Sequence, residues 1–191
     1  MQAAECENGK PMGLFLKPRI SENEAAGIFV SRLYQAVERS WPVIFERVRP
    51  TLSDRTSVID NESAGRREFF LAVVATHLEE LERVFDPERA GRIRALIGEA
   101  LGAAGEGFDA ALESYRGRWD EARERGEDPR RAVGALLHER LGATFSAKSS
   151  RPERAGAEPL IPLLGILSNF DISWWRYLTQ KYRIEKPKRA A

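Results

Sequence analysis

Residues 66–85, RREFFLAVVATHLEELERVF, limit what this chain can become more than any other stretch. At helical spacing Phe70, Val73, Val74, His77, Leu78, Leu81, Val84 and Phe85 share one stripe. Arg66, Arg67, Glu68, Glu79, Glu80, Glu82 and Arg83 fall mostly off it. A helix whose middle reads FLAVVA cannot face water on its own, so several other helices have to cover it.

The rest of the chain supplies them. Ser21-Glu22-Asn23-Glu24 has the form of a capping box, in which the Ser21 hydroxyl takes the Glu24 amide and the Glu24 carboxylate reaches back to Ser21. Ile28, Phe29, Leu33, Tyr34 and Val37 then recur at helical spacing. Ser40-Trp41-Pro42 predicts a break or kink, 43–48 a short second helix, and 50–63 a polar loop. The central helix is expected over about 64–85. Asp86-Pro87 then supplies an N-cap and a proline at the first helical position. The apolar positions from Ile93 to Trp119 predict either one long helix or two meeting near Gly105-Glu106-Gly107. Gly98 and Gly102 cost helix stability, which points to a close helix–helix approach along their side. Gly126 can end a helix and Asp128-Pro129 start another, through Val133, Leu137 and Leu141.

These elements add up to an all-α, single-domain bundle of about six helices. The expected divisions are an irregular arm over 1–20, the bundle over 21–145, a flexible linker over 146–158, C-terminal helices over 159–185 and a basic tail over 186–191. No stretch alternates apolar and polar residues as a half-buried strand would, so strand content is expected to be low.

Composition narrows the function classes. The 191 residues carry 30 Lys plus Arg against 29 Asp plus Glu, a net charge of +1, so nothing global draws the chain to nucleic acid. One cysteine, Cys6, excludes an intrachain disulfide and fits a reducing compartment. The first residues lack the apolar core of a secretory signal, and the apolar run from Leu160 is broken by Pro162 and followed by Asp171 and Arg176. A cytoplasmic location is the expectation, with membrane attachment only a minor alternative through the tail.

The search for chemistry is mostly one of exclusion. Di-iron bundles place Glu three residues before His, but Val74 precedes His77 at that spacing and Ala135 precedes His138. No HExxH, thiolate cluster, GxSxG or phosphate loop exists. Gly105-Glu106-Gly107-Phe108-Asp109-Ala110 matches GxGxxA without the preceding strand that a dinucleotide site needs. No catalytic residue and no metal ligand is therefore assigned. Acids and arginines such as Glu38, Glu46, Arg67 and Asp109 could form a site only if folding brings them together.

Two features carry functional expectations. His77, with Phe70 and Val74 on the same face, could hold haem or another apolar ligand. The plainer expectation is a buried neutral imidazole bonded to a carbonyl or an acid, with no cofactor. Trp174, Trp175, Arg176 and Tyr177 form an aromatic and basic cluster of the composition found at protein contacts. The function expected from sequence is a non-enzymatic interaction module, binding a protein partner or itself. Its contact surface would be that C-terminal helix or the Gly98/Gly102 face.

Overall fold

Helix α2 (Glu62–Leu78) lies at the middle of the molecule, and every residue over 69–75 is buried. A helix apolar all the way round needs neighbours all the way round. In the computed structural model, which describes residues 17–48, 62–102, 107–146 and 174–186, they are α1 (Glu22–Val48), α5 (Phe108–Glu124) and α6 (Pro129–Ser146). Helix α4 (Pro87–Gly102) packs on α1, and α5 packs on α6. A single turn, α3 (Leu81–Val84), joins α2 to α4 and receives α7 (Trp174–Lys181). Strands β1 (Arg19–Ser21) and β2 (Arg183–Glu185) pair in parallel, with Ile20 opposite Ile184. The fold is thus an all-α bundle, with six helices of eight residues or more among the described residues.

Local signals set most of the boundaries. Ser21 and Glu24 form the expected capping box: the Ser21 amide donates to Glu24 Oε2 at 2.7 Å and the Glu24 amide to Ser21 Oγ at 3.1 Å. Asp86 Oδ1 accepts the Arg89 amide at 2.9 Å, and Asp128 Oδ1 the Arg130 amide at 3.0 Å. Gly126 closes α5 with φ of +70°, a conformation natural to glycine.

Three features differ from the expectations, and one alternative left open is decided. The central helix does not run to Phe85. The His77 carbonyl takes the Glu80 amide and the Trp175 indole N–H, each at 3.2 Å, and the chain turns there before α3. Helix α1 continues through Pro42 instead of breaking. Proline forfeits one helical bond, a cost of about 3 kcal/mol in a helix interior. Against it, Trp41 and Ile44 are buried on either side, and Trp41 Nε1 donates to Glu62 Oε1 at 3.0 Å. Of the one helix or two left open beyond Asp86, the structure has two, Pro87–Gly102 and Phe108–Glu124, with α5 starting after Gly107 at φ of +78°; Gly105 itself lies outside the described residues. The 19–21 and 183–185 pairing was not foreseen, since three residues are too few to show a period of two. The linker and the first C-terminal helix expected before Trp174 also lie outside the described residues.

The C-terminal segment is held by one ring. Trp175 is fully buried, stacks on Phe29 at 4.6 Å between centroids and meets Phe85 edge-on at 6.0 Å.

Two predictions follow from these contacts. Trp175→Ala should cost about 3–5 kcal/mol in urea unfolding. Trp175→Phe, which keeps a ring on Phe29 but loses the bond to His77 and part of the indole's volume, should cost less, about 1–3 kcal/mol. The second concerns pH. The Ser21 backbone amide, and then its hydroxyl, holds the Glu24 carboxyl below the usual carboxylate range. A depressed folded pKa contributes stability above the ordinary glutamate range and loses it as pH falls through the folded value. The melting-temperature gap between wild type and Glu24→Gln should be open at neutral pH and close as pH falls through and below the ordinary glutamate range.

Candidate functional site

Helix α7 divides its side chains by position. Trp175 and Leu178 turn inward and are buried. Trp174, Tyr177 and Lys181 recur at i, i+3 and i+7 on the adjoining stripe, half-buried, 46% exposed and exposed respectively. Across from them α1 presents Gly27, Ile28, Ser31 and Arg32. Between the two helices runs a groove of about 600 Å³, completed by Leu178 and Tyr182.

The charge of this groove is one-sided. Arg32 and Lys181 line it, and no acid does among the described residues. Arg32 is exposed and makes no ion pair among the described residues. Lys181 Nζ sits 5.3 Å from the Tyr182 ring centre and 5.9 Å from that of Tyr177. The phenol of Tyr182, and then that of Tyr177, raises its pKa, so Lys181 stays cationic throughout the physiological range. Next to the groove, Lys17 Nζ donates to the Thr179 carbonyl at 2.9 Å and ties the chain ahead of β1 to α7.

The sequence-predicted residues separate accordingly. Trp174 and Tyr177 reach the groove, and Arg176 is exposed on the same helix. Trp175 does not reach the surface: it has become core. Among the described residues Gly98 and Gly102 form no close seam with another helix. A Cβ on Gly98 would meet nothing within 4 Å, and one on Gly102 only the Asp109 carboxylate at 3.5 Å. The reason is angular. Helix α4 buries Ala90, Ile93, Ile97 and Leu101, and Gly98 lies about 100° round from Ile97.

His77, Phe70 and Val74 are all buried. Phe70 packs edge-on against Tyr34 at 5.6 Å, and the His77 imidazole against Phe29 at 6.1 Å. His77 Nδ1 lies 3.5 Å from Glu80 Oε2, and neither ring nitrogen has a hydrogen-bond partner among the described residues. Its backbone carbonyl, not its imidazole, carries the bond to Trp175. His77 lines neither the α1–α7 groove nor two further grooves among the described residues, one by Glu79, Trp119 and Arg123, the other by Arg131 and Ala135. His138, half-buried on α6, has its pKa lowered by burial.

The acids and arginines collect in places the sequence did not announce. Glu22, fully buried, faces Arg89 Nε at 3.1 Å and is clasped by Arg92 through Nε at 3.0 Å and Nη2 at 3.1 Å. Arg89 also donates to the Ile184 carbonyl, so this cluster joins α1, α4 and β2. Glu68 Oε2 accepts Tyr115 Oη at 2.9 Å and Arg140 Nη1 at 3.1 Å, joining α2, α5 and α6. Burial, and then the Glu68 charge, push the Tyr115 phenol far above its ordinary range, so it is a fixed donor and not a base. Both clusters hold helices together. Glu38 pairs with Arg66 at 2.8 Å, and Arg67 lies 4.2 Å over the Phe108 ring. With Glu46 and Asp109, neither Glu38 nor Arg67 lines any of the three grooves.

Glu79 is the remaining carboxyl of chemical interest. Burial, and then Asp120, raise its pKa, and Arg123 Nη1 lies 4.0 Å away. Its groove mixes three acids with three arginines and therefore has no net sign to select a ligand. Among the described residues no cluster of His, Cys, Asp and Glu could hold a metal ion, and no helix is long and apolar enough to cross a membrane.

Comparison with family models, with curated proteins and with solved structures finds no match to this chain.

Breaking the buried cluster by Glu22→Gln should cost about 3–5 kcal/mol, since it leaves two guanidinium groups facing a neutral amide. Chemical unfolding, with a double Glu22→Gln/Arg92→Gln chain recovering part of the loss, checks this.

Proposed function

We propose that this chain is a non-enzymatic interaction module whose contact surface is the groove between α1 and α7. The supporting observation is that groove itself: Trp174, Tyr177 and Tyr182 stand around an apolar floor, open to solvent, whereas the other exposed large apolar side chains, Tyr34 and Val43, line none of the grooves described. Aromatic side chains offer large contact area at little conformational cost, which is why they anchor protein contacts. Self-association would use the same groove or the Gly98/Gly102 face of α4, where a Cβ on Gly98 would meet nothing within 4 Å among the described residues. A site for haem or another apolar ligand at His77 gains no support from the geometry, because that ring is packed on by Phe29 and opens into none of the grooves described.

A photo-crosslinking amino acid placed at Tyr177 should couple the chain to another protein molecule. The same group at Glu139, exposed on α6 and lining none of the grooves described, should not. Equal coupling from both positions, or none from Tyr177, would remove the groove as the contact surface.

A further inference from the structure

An aromatic groove alone does not say what fills it, but its charge does. Its two ionisable edges beyond the tyrosines are Arg32 on α1 and Lys181 on α7, and both are exposed. No described acid in the groove offsets them, although acids and bases pair across most of the remaining surface. A partner that desolvates this groove has to bring negative charge to its rim, or leave two cations facing a dry contact. A second copy docked by a two-fold contact brings the same patch to itself, cation against cation. A flat lipid surface meets Tyr177 but cannot follow the concavity between two helices. A peptide segment, extended or helical, fits that shape.

Resting on the groove as contact surface, we propose that it takes an acidic peptide segment of another protein, with an apolar side chain seated against Trp174, Tyr177 and Leu178 and carboxylates at Arg32 and Lys181. Specificity would come from the charges and affinity from the aromatic floor.

The test uses the full chain. Short random peptides displayed on phage are selected on wild type and counter-selected on Tyr177→Ser. The enriched sequences should combine Asp or Glu with Leu, Phe or Trp. One such peptide, labelled and followed by fluorescence anisotropy, should bind about tenfold more weakly to the Arg32→Glu/Lys181→Glu chain. A version with its acids changed to lysine should prefer that charge-reversed chain to wild type. Both positions are exposed, so melting curves should stay as in wild type; the swapped peptide separates lost charge matching from lost folding.

Selected peptides without acids, or binding indifferent to charge reversal while Tyr177→Ser still abolishes it, would overturn the acidic partner and leave the groove standing. Failure to enrich any peptide that depends on Tyr177 would overturn both. Light scattering that shows a wild-type dimer dissolved by Tyr177→Ser would assign the groove to a second copy. Co-sedimentation with phosphatidylserine-containing vesicles, lost on charge reversal, would assign it to membrane. Either of these last two results overturns the acidic peptide.

Discussion

Seven consecutive buried residues in the middle of α2 are the constraint from which the other elements take their places. A strip of apolar surface can be covered from one side, whereas an apolar cylinder cannot. Helices α1, α5 and α6 therefore stand round α2, and their own inner faces carry Phe29, Leu33, Trp41, Tyr115 and Leu137 into the space between. The polar ends of α2 are handled differently from its middle. Glu62 and Glu68 face inward far enough to be used as acceptors by Trp41 and Tyr115, so the largest fully buried side chains of α1 and α5 are held by hydrogen bonds as well as by packing.

The far end of α2 is where the chain's C-terminal part returns. The helix gives way at His77, and the carbonyl left outside the regular ladder accepts the Trp175 indole. That one contact lets α7 lie across Phe29 and Phe85, and it delivers β2 to β1 with Ile184 opposite Ile20. Glu22, Arg89 and Arg92 then lock the same corner from the α4 side. A buried carboxylate between two guanidinium groups adds little net stability over an apolar filling, but it rejects any arrangement that separates the partners. The corner is thus specified by charge and filled by rings.

The groove follows from that return. With Trp175 and Leu178 committed to the core, the next stripe of α7 has to face outward beside α1, and there α1 carries Gly27 and Ser31, too small to fill the gap. Gly27 leaves open space where a side chain would stand. The same residues that anchor α7 therefore expose Trp174 and Tyr177.

Much of the fold was legible one turn at a time. The capping box at Ser21, the caps at Asp86 and Asp128 and the stop at Gly126 are local hydrogen-bond chemistry, and the structure keeps all four. The water-excluded centre round Val73 and Val74 followed from hydropathy at helical spacing. What sequence periodicity could not give is anything decided by residues far apart in the chain. The break at His77 depends on Trp175, nearly a hundred residues later; the continuity of α1 through Pro42 depends on Glu62; the parallel strand pair joins opposite ends of the described chain. The groove is of the same kind, since Ser31 and Arg32 look like any solvated helix face until α7 is laid beside them. Sequence by itself determined which surfaces must leave water, because that cost is a property of each side chain. Tertiary structure alone decided which polar and aromatic groups meet, because that depends on how the covered surfaces are brought together.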